Sequence, residues 1–175
     1  NLHSIYVDQW DWEKVISRED RTIAYLTHTV RVIVRVLAAT ELATCARFPQ
    51  LTPRIDPNVT FVTSSELEAL YPDLTPKERE NAITREHRTV FIMQIGDKLA
   101  SGAPHDGRAP DYDDWALNGD ILVWDEALGC ALEISSMGIR VDETSMRSQL
   151  EKAGCPERAE LPFHSALLRG ELPLT

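Results

Sequence analysis

The chain is 175 residues long, 43% hydrophobic and 26% charged, enough to bury one sizeable core and a length that fits a single domain. Its 28 acidic against 18 basic residues give a net charge of −10, which opposes the phosphate charge of nucleic acid and of acidic membranes, so no nucleic-acid partner is expected. Cys45, Cys130 and Cys155, odd in number and widely spaced, make neither a disulfide framework nor a CxxC zinc site.

In chain order, Leu2 to Val7 alternates in the manner of a strand and runs into Asp8-Gln9-Trp10-Asp11-Trp12-Glu13, where polar and aromatic residues interleave. Apolar residues at Ile23, Leu26, Val30, Ile33, Val34 and Leu37 keep a three-to-four spacing, which predicts a long amphipathic helix from Arg21 to about Arg47, ended by Pro49 and Pro53. Val59 to Val62 reads as a short strand. Thr63 or Ser64 then caps a helix through Leu70, with Glu66 in its first turn. Thr75-Pro76-Lys77-Glu78 opens another helix, with Pro76 at the position where a missing N–H costs nothing.

Val90 to Ile95 is an apolar run of strand length closed by Gly96. Asp97 to Trp115, with Gly102, Pro104, Gly107 and Pro110, is a long loop of the kind that a compact domain keeps for a use. Leu117 to Trp124 and Leu132 to Arg140 read as two further strands, followed by surface helices over Thr144 to Ala153 and Phe163 to Arg169. Asn1 opens directly on a strand and Leu172-Pro173-Leu174-Thr175 stops without a closing element, so both ends look cut and the single domain is expected to be incomplete, part of a larger polypeptide. The longest apolar stretch, Val30 to Ala39, is broken by Arg31 and Arg35 and is too short to span a bilayer. With no signal peptide before the first motif, no membrane association and a cytoplasmic location are expected.

The last two strands carry the most chemistry. Asp120 and Glu133 sit on neighbours joined by the turn from Asp125 to Gly129, so antiparallel pairing brings the carboxylates into one neighbourhood. Magnesium needs only one or two carboxylates besides phosphate oxygens, while two solvated carboxylates on a sheet face are the plain alternative. Ser136 and Arg140 follow, with Gly138 permitting a tight backbone path. The Arg fork suits a carboxylate or phosphate, unless it pairs with Asp142 or Glu143. Gln9 and Asp11, two apart, share one side of an extended segment and suit an amino acid's polar groups, with Trp10 and Trp12 packing into the core on the other; an amphipathic edge strand is the alternative. Asp111, Asp113 and Asp114 look like a metal-binding run, although acidic loops are more often solvated, and Tyr112 and Trp115 favour an ordered loop. His3, His28, His87, His105 and His164 form no zinc-binding spacing, and no P-loop or Rossmann glycine pattern occurs.

The strings His3 to Glu13 (HSIYVDQWDWE), Tyr71-Pro72-Asp73-Leu74, Arg108 to Trp115 (RAPDYDDW), Leu117 to Trp124 (LNGDILVW), Ser135 to Arg140 (SSMGIR) and His164 to Gly170 (HSALLRG) occur together and in this order. By them the chain closely resembles the ammonia-dependent (A-type) asparagine synthetase family, aspartate–ammonia ligase. The resemblance implies an α+β fold like the catalytic domain of class II aminoacyl-tRNA synthetases, an antiparallel sheet flanked by helices. It implies synthesis of L-asparagine from L-aspartate and ammonia, with ATP and Mg2+ as cofactors, a β-aspartyl-adenylate as intermediate, AMP and pyrophosphate as products, and a homodimer.

Carried over residue by residue, Gln9, Asp11 and Asp113 are the implied catalytic residues: Gln9 contacts aspartate or its acyl-phosphate, and the two carboxylates meet the substrate's ammonium or the entering ammonia. Asp120 and Glu133 face the metal and phosphates, Ser136 hydrogen-bonds beside them, and Arg140 holds the α-carboxylate. Ser4 and Ile134 border the nucleotide. The family also carries a region before Asn1, a Gly-rich motif after Thr175 and a longer stretch between Trp115 and Leu117, where only Ala116 stands here. Two other readings stay open: the core of an aspartyl- or asparaginyl-tRNA synthetase, and a synthetase-like amino-acid-binding module without chemistry.

Overall fold

The computed structural model describes residues 5–6 and 11–175; the expectations placed on Ser4, Gln9 and Trp10, and most of the strand expected over Leu2 to Val7, lie outside them. Local chemistry sets the element ends. Helix α1 (Ile23–Arg47) starts at Thr22, whose hydroxyl accepts from Tyr25 N at 3.1 Å, and it turns Leu26, Val30, Val34 and Ala38 inward at four-residue spacing. Helices α2 (Ser64–Leu70) and α3 (Pro76–His87) each open on a capping box, Thr63 with Glu66 and Thr75 with Glu78. Asp142 caps α4 (Glu143–Lys152), and a 3-10 turn over Pro156–Glu160 leads into α5 (Pro162–Leu168).

Strands β1 (Thr60–Thr63), β2 (Thr89–Met93), β3 (Asp113–Asp125) and β4 (Cys130–Arg140) form one sheet in the order β1-β2-β3-β4. β3 is antiparallel to both β2 and β4, but β1 and β2 run parallel, so the sheet is mixed and not the wholly antiparallel one expected. The reason lies in the connections. α2 and α3 carry the chain back to its starting end before β2, the crossover that parallel neighbours require, whereas β3 and β4 need only a tight turn. α1 covers one face over a core of Phe91, Ile121 and Ile139, and α2 and α3 cover the other over Val62, Val90, Ile92 and Leu122. A smaller cluster of Val141, Met146 and Leu150 seats the C-terminal helices.

Two of the strand ends that differ from expectation are set by side chains. β2 stops at Met93 because Gln94 adopts φ +61, and the buried Asn118 side chain takes over the ladder by accepting from Ile95 N and donating to Ile95 O, each at 2.8 Å. β3 begins at Asp113, four residues before the strand expected from Leu117, because Gln149 of α4 accepts from Trp115 N at 2.8 Å and donates to Asp113 O at 3.1 Å, fixing that stretch as extended chain. The turn Tyr71 to Leu74 is held by the buried Arg79, which donates to the carbonyls of Tyr71 and Pro72.

Candidate active site

A cavity of about 320 Å³ runs along the outer edge of β4, six consecutive residues of which, Ser135 to Arg140, line it. Its other walls are the segment Asp11 to Lys14 with Ile16, the first turns of α1 (Tyr25, Leu26, Thr29), Arg108, Tyr112 and Asp113. Arg21 locks these walls together. It is largely buried at the start of α1 and donates to the Arg140 carbonyl and, at 2.7 Å, to Asp114 Oδ2, while its Nε lies 3.3 Å from the Asp142 carboxylate.

Arg140 is the cavity's main cation. One terminal nitrogen donates to Asp113 Oδ1; Nε and the other donate to Glu13 Oε1 at 3.2 and 2.9 Å; and the guanidinium lies 3.4 Å from the centroid of the Tyr112 ring. Burial works against its charge, but Glu13 and Asp113 outweigh burial and hold its pKa above the ordinary arginine value. Arg140 therefore pairs with neither Asp142 nor Glu143, the partners weighed from sequence; Asp142 caps α4 and both carboxylates face Arg18.

Asp120 lies on the α2 and α3 face of β3, opposite Ser136, and Glu133 pairs with Leu122 on the same face, so the two carboxylates share one neighbourhood as expected. Arg108 donates to Asp120 Oδ2 and to Asp106. Asp120 is only 6% exposed, and its buried Oδ1 has no hydrogen bond of normal geometry, although the Ser136 hydroxyl is near enough to ease its charge. Glu133 has no ion pair among the described residues. It lies within electrostatic reach of Asp120, Arg108, Lys77 and Glu80, and Lys77 is itself bound to Glu80.

Asp113, Asp120 and Glu133 all titrate above their ordinary ranges, and burial is the first cause for each. Arg140 partly offsets it at Asp113 and Arg108 at Asp120, while Asp120 pushes Glu133 further up. A carboxyl with a raised folded pKa holds its proton more tightly folded than unfolded, so stability declines as pH rises from the ordinary carboxylate value through the raised one. Because Glu133 has repulsion to lose and no ion pair to lose, Glu133→Gln is expected to keep or raise the melting temperature at neutral pH and to flatten that decline. A lower melting temperature with an unchanged pH slope would contradict this reading.

Asp11, Asp113, Ser136 and Arg140 thus border one cavity, and Asp120 adjoins it through Arg108 and Ser136. Ile134 stands apart: it is the extra residue of a β-bulge between the Ile121–Ser135 and Leu122–Glu133 pairs, and its side chain packs into the α1 core, leaving only its backbone toward a ligand. Trp12, expected in the core, is 55% exposed at the cavity wall. The acidic run is neither solvated nor a metal cluster. Asp111 binds Arg158 and His164, Asp113 binds Arg140 and Asp114 binds Arg21, so each carboxylate ties the end of the loop or the start of β3 to a different part of the chain. Asp111 titrates below its ordinary range, burial being outweighed by His164 and Arg158. Among the described residues no three His, Cys, Asp or Glu come together as a metal site, the three cysteines are free, and no helix is long and apolar enough to cross a membrane.

Sequence reasoning passed over Arg108, Glu13 and Lys77 as site residues. The one signal available was an arginine between Gly107 and Pro110 in a loop too long to be idle.

The sequence model of the aspartate-ammonia ligase family matches residues 1–175, the whole chain. An aspartate–ammonia ligase of Lactobacillus acidophilus is 57% identical over 176 residues, which is all of this chain and 52% of that protein. One of Clostridium perfringens is 56% identical over 175 residues, and one of Levilactobacillus brevis 55% over 175, each again covering all of this chain and 52% of the relative. The chain spans about half the length of the curated relatives it matches, and alignments of 175 or 176 residues leave these relatives no room for a long extra stretch between Trp115 and Leu117. Matched along its whole length, the chain belongs to the aspartate–ammonia ligase family.

Proposed function

We propose that the full-length protein makes L-asparagine from L-aspartate and ammonia at the expense of ATP, through a β-aspartyl-adenylate, releasing AMP and pyrophosphate. The observation that carries this reading is the convergence of Asp11, Asp113, Ser136 and Arg140 on one cavity that adjoins the Asp120 and Glu133 carboxyls through Arg108. An amino acid needs a planar cation for its α-carboxylate and an anion for its ammonium, and Arg140 beside Asp113 and Asp11 offers both.

In this reading Arg140 holds the α-carboxylate, Asp11 and Asp113 meet the ammonium or the entering ammonia, and Gln9 contacts the reacting carboxyl. The side-chain carboxylate oxygen of aspartate attacks the α-phosphorus and pyrophosphate leaves. Ammonia then adds to the acyl carbon and sheds a proton, and AMP departs with the bridging oxygen. Activation is needed because a free carboxylate resists a neutral nucleophile; positioning and charge neutralisation by the site supply the rate.

Asp120 and Glu133 are the residues that would hold a magnesium ion, since a buried Oδ1 with no hydrogen bond of normal geometry beside a carboxyl without an ion pair is a donor set short of positive charge. Such an ion, when bound, would neutralise phosphate charge. Ser4 and the backbone at the Ile134 bulge would border the nucleotide. A class II synthetase-like fold, a homodimer, a cytoplasmic location and the absence of a nucleic-acid partner belong to the same reading. The expected result is that AMP and pyrophosphate form from ATP only when aspartate and ammonia are both supplied. ADP as product, or turnover fed by the amide of glutamine and not by ammonia, would overturn it.

A further inference from the structure

We propose that Arg108 is a substitute cation: in the ligand-free protein its guanidinium occupies the place on Asp120 that a divalent cation takes in the loaded site, and it turns into the cavity toward the ligand's anion when that cation arrives. The inference rests on the reading of Asp120 and Glu133 as metal-facing groups given above, and it assigns a task to a residue which that reading leaves unused.

Four observations support it. Arg108 both lines the cavity and touches Asp120, so the two positions lie within reach of one side chain. Its other bonds go to Asp106 and to the Gly107 carbonyl, its own neighbours in the loop, so the guanidinium is tied to the sheet through Asp120 alone. Asp120 Oδ1 is buried with no hydrogen bond of normal geometry and only the Ser136 hydroxyl near the carboxyl, so the guanidinium leaves a carboxylate that could bind more. Asp106, Asp120 and Glu133 surround this one guanidinium, and Lys77, the other cation acting on Glu133, is already bound to Glu80.

The exchange follows from electrostatics. A divalent ion on Asp120 and Glu133 would stand beside Arg108 with like charge in a half-buried place, where repulsion is strong. The cavity that Arg108 already lines is its way out, and a planar fork arriving there matches a phosphate or carboxylate oxygen pair.

The test uses Mn2+ as probe on the full-length protein without nucleotide, with free Mn2+ read by electron paramagnetic resonance. Removing an internal competitor should tighten the metal, so Arg108→Gln is expected to bind Mn2+ about tenfold more tightly than the parent protein, with Arg108→Lys in between. The same Arg108→Gln protein should bind a non-hydrolysable ATP analogue with Mg2+ about tenfold more weakly, since it has lost the fork that meets the anion. A merely structural arginine would move both affinities down together. Mn2+ binding unchanged or weakened in a folded Arg108→Gln protein, or in Arg108→Lys should the first variant not fold, overturns the exchange. Asp120→Asn separates the two failures: if Arg108→Gln/Asp120→Asn binds Mn2+ as Arg108→Gln does, or if neither the parent nor Arg108→Gln binds any, the metal-facing reading falls and the exchange with it. If Asp120→Asn loses Mn2+ while Arg108→Gln matches the parent, only the exchange falls.

Discussion

Replacing Arg140 by lysine is expected to raise the aspartate requirement of the full-length protein about a hundredfold while the ATP requirement moves no more than about threefold. The asymmetry follows from the place of the guanidinium. It lies over the Tyr112 ring, 3.4 Å from its centroid, with Asp113 on one side, and both Nε and one terminal nitrogen point to a single oxygen of Glu13. Glu13 is exposed at the cavity wall, so it marks where a ligand's carboxylate would sit. A lysine ammonium keeps one of the fork's bonds and loses the other along with the planar group's contact with the ring. A charge-assisted hydrogen bond contributes about 1.5–3 kcal/mol, and about 2.7 kcal/mol corresponds to a hundredfold. Equal effects on both substrates would remove Arg140 from the aspartate site.

Gly119→Ala is expected to destabilise the chain by about 3 kcal/mol, the upper end of the usual cost of overpacking. Gly119 pairs with Met93 on one side and Met137 on the other, in a strand flanked on both edges. A Cβ there would lie 2.2 Å from the Ile92 carbonyl oxygen and 2.7 Å from the Phe91 ring, and Phe91 is fully buried. Neither can yield, because one is ladder backbone and the other fills the core under α1. For a chain of this size the melting temperature should fall by roughly 6–12 °C. A drop of less than about 2 °C would mean that the strands part more easily than their packing implies. The position matters for the site as well, since Gly119 sets the path of the backbone that presents Asp120.

Much of the fold was legible because its signals are local. Thr63 with Glu66 and Thr75 with Glu78 mark helix starts by side-chain bonds that need only three residues of context, and the spacing of Leu26, Val30 and Val34 gives α1 its inward face, whereas the Thr22 cap was not picked out. What escaped depends on partners distant in sequence. No periodicity announces that Asn118 will finish the ladder of β2, that Gln149 will straighten Asp113 to Ala116 into strand, or that β1 will lie parallel to β2. The site divides in the same way. The Asp120 and Glu133 neighbourhood follows from a hairpin and its two-residue repeat, so it could be read ahead. Arg108 could not, because a loop arginine is solvated by default and only the folded chain sets it against Asp120. The acidic run misled for the same reason: its cations, Arg21, Arg140, Arg158 and His164, come from four other places. Trp12 was expected in the core on the strength of alternation alone, and among the described residues the stretch from Asp11 to Ile16 belongs to no strand that would enforce alternation.

Activation of the aspartate side-chain carboxylate by the α-phosphorus of ATP is the step that the proposed function requires, and the fate of one oxygen tests it directly. With aspartate labelled by oxygen-18 in its β-carboxylate, the full-length protein supplied with ATP, Mg2+ and ammonia should return AMP that carries one labelled oxygen, and unlabelled pyrophosphate. Label in inorganic phosphate alongside ADP, or AMP free of label, would contradict it.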